Sequence, residues 1–220
     1  MKKLLFTLAV VCFSLGFTNA QSNEGHIKYA IEMSSDNPEM QMQLAMMNGS
    51  TMEIYFQDKN SSSTMRMGSM MTINTITSES GDVLMLMGGM MGKKAIKTTV
   101  DEMKGDEKVE EVEDIDVQFV KGSKTVAGYK CKKAIIETEE GDEVVFWYTE
   151  ELKMGTDAQG NLNGKIPGVA LAFETNNNGM IMSFEATEVE NKIKDKSVFS
   201  LDIPEGYEEM TYEQLKGMGM

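Results

Sequence analysis

The chain has 220 residues, 35 acidic against 21 basic side chains, a net charge of −14 and a sequence pI near 4.6. So acidic a surface repels phosphate backbones and anionic headgroups, and no basic cluster with interleaved aromatics offsets it, which excludes nucleic acid as the expected partner. Methionine supplies 22 residues against nine phenylalanines and one tryptophan, so thioethers carry much of the apolar surface.

Residues 1–20 begin with Lys2 and Lys3, continue as an apolar run from Leu4 to Phe17, and end on the small residues Thr18 and Ala20. This pattern predicts a secretory signal peptide and a periplasmic or secreted protein. The run is shorter than the roughly 20 residues of a membrane-spanning helix, so no integral span is expected. Cys12 lies within the run behind Val10 and Val11, which does not fit a lipidated terminus. Residues 21–220 then hold a single cysteine, Cys131, and form one domain stabilised by its core rather than by a disulfide.

Gly25 to Met33 reads as the first strand. Asp36, Asn37 and Pro38 open a helix on which Met40, Leu44 and Met47 recur at helical spacing until Gly49. Thr51 to Gln57 follows as a strand with Met52, Ile54 and Phe56 on one face, and Ser63 to Thr77 as another with Met65, Met67, Met71 and Ile73 on one face. Val83 to Met87 is apolar on both faces and should be buried on both. It leads into the glycine-rich tip Gly88 to Gly92, then a strand from Lys93 to Val100 and an acidic connection or solvated helix from Asp101 to Asp114.

Further on, Ile115 to Val120 is a strand, and Tyr129 to Glu139 pairs with Asp142 to Thr149 around Glu140 and Gly141. Gly168 to Thr175 pairs with Met180 to Val189 around an Asn-Gly turn, with Met180, Met182, Phe184 and Ala186 on the dry face. Phe199 to Ile203 reads as a last strand, and Thr211 with Gln214 is in capping-box register for a short terminal helix. Together these elements predict a mainly β fold, a curved antiparallel sheet or open half-barrel of about ten strands with two or three short helices. The methionine-bearing helix and the glycine-rich tip are the candidates to cover its apolar side.

Lys124 to Lys133 (KTVAGYKCKK), Phe146 to Thr149 (FWYT), Ile166 to Leu171 (IPGVAL) and Ile203 to Tyr207 (IPEGY) resemble, in order and spacing, a family of secreted, methionine-rich proteins of Bacteroidota. They are also similar to the related GLPGLI-type family, with Ile166-Pro-Gly-Val in place of Leu-Pro-Gly-Leu. The resemblance implies a fold like that of the bacterial lipoprotein carriers, an open half-barrel with an apolar concave side partly plugged by helices. It carries over no catalytic or binding residue.

The methionines allow three readings: filler in an ordinary core, the lining of an adaptable apolar cavity, or soft ligands for Cu(I). A core specified mainly by Met packs with little uniqueness, which favours a surface that repacks around apolar partners. A copper site of this kind usually recruits histidine or cysteine too. Only His26 and Cys131 are available, the first expected to be an exposed strand-edge imidazole and the second a buried structural thiol. Residues 157–164 alternate polar side chains before Gly164 but lack the frame of a calcium loop. With one histidine and no Gly-x-Ser-x-Gly elbow or phosphate-cradling loop, no catalytic set, resident metal or cofactor is indicated.

The expected function is therefore non-enzymatic: an envelope-associated domain holding a lipid or other apolar small molecule. Met52, Met65, Met67, Met85, Met87, Met180, Met182 and Phe184 would line the concavity, with Met40, Leu44 and Met47 on the covering helix. Copper binding through the same sulfurs, and a scaffold without ligand, are the alternatives. The oligomeric state is not legible in the sequence.

Overall fold

A computed structural model describes residues 23–90, 92–106, 116–137, 143–154, 165–177 and 179–217. The expected signal segment, the acidic stretch 107–115 and the polar loop 155–164 lie outside the described residues.

The described strands form one mixed sheet in the order β12-β6-β5-β4-β3-β2-β1-β11-β10-β9-β8-β7. In chain order they are β1 (Glu24–Ser35), β2 (Ser50–Gln57), β3 (Asn60–Met67), β4 (Met71–Thr77), β5 (Asp82–Gly89), β6 (Lys94–Thr99), β7 (Val117–Val126), β8 (Tyr129–Glu137), β9 (Glu143–Thr149), β10 (Val169–Asn177), β11 (Met180–Glu190) and β12 (Glu208–Met210). Three short helices accompany them, α1 (Gln41–Met46), α2 (Val100–Asp106) and α3 (Tyr212–Gly217). Two antiparallel meanders, β1–β6 and β7–β11, are joined where β1 pairs with β11, so the first strand sits in the middle of the sheet. The sheet is open but curled. Lys124 on β7 reaches Glu185 on β11, and the Tyr129 hydroxyl reaches Asn191, each across strands that lie between them in the sheet.

Strand alternation sets the two faces. Tyr29, Met52, Met65, Ile73, Met87 and Lys94 occupy matched positions on successive strands, giving one continuous row on what we call the methionine face. The central core grows from this face: Ile27, Phe56, Leu152 and Leu171 are fully buried with Tyr29, Met52 and Phe184. Phe146, Phe173 and Phe184 stack across β9, β10 and β11 at centroid separations of 5.8 and 4.5 Å. β5 is buried on both faces, as its sequence predicts: Met87 packs with Ile96 and with Leu215 of α3, while Leu84 and Leu86 pack under Leu201, Ile203 and Tyr207.

Four expectations are corrected. Ser63 to Thr77 is two strands, because Gly68 at φ +52° turns the chain; the hairpin still leaves Met65, Met67, Met71 and Ile73 on one face. Ile115 to Val120 underestimates β7, which continues to Val126 through a bulge between Val120 and Ser123. Phe199 to Ile203 is not a strand: Lys196–Phe199 forms a 3-10 turn and the chain then runs extended over the face of Leu84, without a ladder of its own. Finally, β12 pairs parallel with β6, a contact between distant segments that periodicity does not reveal.

Candidate functional site

Three connections step along one end of the sheet, each riding on the one before. After α1, the buried Ser50 hydroxyl donates to the Met47 carbonyl and accepts the Gly68 N–H at 3.1 Å, tying the end of the helix to the β3–β4 turn. A Cβ on Gly68 would lie 2.1 Å from the Met46 carbonyl oxygen, and one on Gly89 would lie 2.2 Å from that of Met70. Both glycines have positive φ, +52° and +126°, so close approach and backbone conformation demand the same residue type. The Met90 N–H donates to the Met70 carbonyl at 3.3 Å, which closes the stack.

Because every one of these connections carries methionine, the stack gathers thioethers. Met47, Met67, Met70, Met71, Met87 and Met90 surround an apolar cavity of about 260 Å³, completed by Met210 on β12, the backbone at Gly88 and Gly92, and Lys94. Met46 and Met90 are 47% and 80% exposed, which extends the apolar surface beyond the cavity. Deeper on the same face, Leu215 of α3 seals Met87 and Ile96, with Met71, Ile73, Met85 and Tyr212 packed alongside. The helix is opened by the predicted capping box: the Gln214 side chain accepts the Thr211 N–H at 2.9 Å, and the Thr211 hydroxyl accepts the Gln214 N–H at 3.2 Å.

Of the expected lining, the structure brings Met47, Met67 and Met87 to the cavity. Met52 and Phe184 are instead buried in the central core, with Met65 and Met182 packed against it. Met85 packs in the cluster beneath α3. Met180 is half-buried at the start of β11, and Leu44 is half-buried on α1. Met40 precedes α1, its sulfur accepting from the Ser35 hydroxyl. Parity assigns these side chains to the right face; position across a twelve-stranded sheet decides whether they meet a cavity or other side chains. Met70, Met71, Met90, Met210 and Lys94 are absent from the expected lining. The Met doublets and the glycine-rich tip are the signal that finds the first three, whereas Met210 and Lys94 depend on the parallel β12–β6 pairing.

The two residues that a mixed-ligand copper site would recruit lie elsewhere. Cys131 belongs to the central core, fully buried, with burial the main influence pushing its thiol pKa up. His26 is not exposed at an edge, because β1 is central. Its ring stacks on Tyr55 at 4.1 Å between Glu53 and Glu190, whose oxygens lie 3.8 and 3.9 Å from Nε2 and Nδ1. Neither residue lines the cavity. Chemically, the described lining offers soft apolar contact, thioether sulfur and the ammonium group of Lys94.

An open, mainly β sheet with a methionine-lined cavity at one end is thus the class that fold and site define. The family model described as "N-glycanase peptide, N-terminal domain" matches residues 89–214, more than half of the chain, and the chain belongs to that family. The motifs at residues 124–207 that carry the resemblance noted above fall inside the same stretch. Among solved structures, one of PNGF-II is similar at 16% identity and a TM-score of 0.49, covering 90% of this chain and 33% of that one. A structure of MucB in complex with MucA(peri) gives 11% identity, a TM-score of 0.36 and coverage of 84% and 55%. The Pseudomonas aeruginosa MucA/MucB complex gives 10%, 0.36, 81% and 56%. The chain therefore spans about a third of the length of PNGF-II and just over half of the MucB chains. No curated protein sequence matches it. Among the described residues, no helix is long and apolar enough to cross a membrane.

Proposed function

We propose that this chain is a non-catalytic binding module of the exported compartment that holds a small apolar ligand in the methionine-lined cavity. The observation that supports this reading is the convergence of seven methionines on one space of about 260 Å³ from four separate segments of the chain. Unbranched thioethers repack at low cost around guests of different shape, which a Leu or Ile lining does not do.

Size limits the guest. An engineered apolar cavity of about 150 Å³ accepts benzene, so the space here suits roughly ten heavy atoms. Burying eight methylene-sized groups contributes about 6 kcal/mol, which places affinity between micromolar and millimolar. The cavity therefore fits one short chain, or the end of a longer one that continues over Met46 and Met90.

The family name refers to a part of an N-glycanase, and a ligand-holding accessory role beside such an enzyme is consistent with the cavity. A second reading, Cu(I) bound by thioethers, is favoured by the same clustering of sulfur. It is the weaker one, since neither His26 nor Cys131 lines the cavity.

Calorimetric titration with 1-octanol tests the first reading. Binding to the wild type, lost when Met67→Trp fills the space, is the expected result; no binding, or binding indifferent to that substitution, overturns it. Competition against a chromophoric Cu(I) chelator tests the second, and a protein that takes neither octanol nor copper is a scaffold.

A further inference from the structure

Resting on the reading of the cavity as an apolar-ligand site, we propose that Lys94 selects ligands with an anionic end, specifically a single unbranched chain terminating in a carboxylate. Among the described residues every other side chain of the lining is methionine, so Lys94 is the one group among them that distinguishes one polar head from another. Its side chain lines the cavity and is 28% exposed, and its ammonium is held by Glu208 of β12.

The structural alternative is an ordinary cross-strand pair. Glu208 is the registered partner of Lys94 across the parallel β12–β6 contact, and its carboxylate holds the ammonium. The Glu208 side chain is 74% exposed, however, and a solvent-exposed pair of this kind contributes little. When an incoming carboxylate displaces it, Glu208 returns to water at small cost, while the ligand keeps its charged end at the mouth and its chain among the sulfurs. Glu208 thus occupies the head-group position as a weak competitor supplied by the chain itself. The negative net charge of the protein opposes long-range attraction of such a ligand, so selection comes from the local contact.

Paired titrations with octanoate and 1-octanol, which share a chain length, read the head group separately from the chain. In the wild type, octanoate should bind about tenfold tighter than octanol, the size of one charge-assisted hydrogen bond. Lys94→Met should abolish that preference, so that octanoate no longer binds more tightly than octanol, whereas Glu208→Gln should strengthen octanoate binding severalfold by removing the competitor. Equal binding of both compounds to the wild type, or a preference unchanged in Lys94→Met, overturns the role of Lys94 and leaves the cavity reading standing. Binding of neither overturns both. Glu208→Gln changes an exposed side chain only, so its result stands even if Lys94→Met fails to fold.

Discussion

Alanine at Gly68 or Gly89 would place a methyl carbon within 2.2 Å of a neighbouring carbonyl oxygen, at a φ that non-glycine residues rarely adopt. Either substitution should lower unfolding stability by about 2 kcal/mol or more, read as a drop in the urea midpoint, and should weaken octanol binding because the stacked connections shape the cavity. Tyr29 gives a prediction of a different kind. Its hydroxyl donates to the Ala170 carbonyl at 2.8 Å, and burial, with a smaller influence from Cys131, raises its pKa well above the usual 10.0. Burial likewise raises Tyr55, Tyr148 and Cys131. All four hold their protons more tightly folded than unfolded, so their contribution is complete below the unfolded values and declines as pH rises through the folded ones. The melting temperature should therefore fall from about pH 9 upward. Tyr29→Phe should flatten that decline and cost about 1 kcal/mol at neutral pH through the lost hydrogen bond.

Among elements, α3 illustrates how much a local signal can reveal. The Thr-x-x-Gln spacing predicts its start, and both capping bonds form; Thr211→Ala should cost about 1 kcal/mol, visible as faster amide exchange in α3 and at Met87 beneath it. The β10–β11 hairpin and the two-sided burial of β5 were equally legible, since each rests on alternation within a few residues. The division of Ser63 to Thr77 was not. A lone glycine among alternating residues reads as a tolerated interruption, and it is the fold that reveals its φ of +52° and the Met46 carbonyl where a Cβ would lie. The candidate site was partly legible for the same reason. Met47, Met67 and Met87 follow from face and spacing, whereas Met210 and Lys94 require knowing that a three-residue strand from the far end of the chain lies beside β6.

At the scale of the whole molecule, the core and the cavity divide the sheet between them. The Ile, Phe and Tyr side chains around β1, β2, β10 and β11 form the solid part, and the methionines at the β3–β6 end form the yielding part. A saturating guest in that yielding end should raise the melting temperature of the wild type by mass action and leave Met67→Trp unmoved, a difference that scanning calorimetry resolves.

Among the described residues the sheet does not close and ends in two margins, and naked margins recruit neighbouring chains into polymers. One is formed by β12, only three residues long and bearing the exposed acids Glu208 and Glu209. The other is β7, interrupted by its bulge and studded with Lys121 and Lys124. Brevity and negative charge at one border, a kink and positive charge at the other, deter self-templated fibril growth and leave the protein free to stay open at its methionine end.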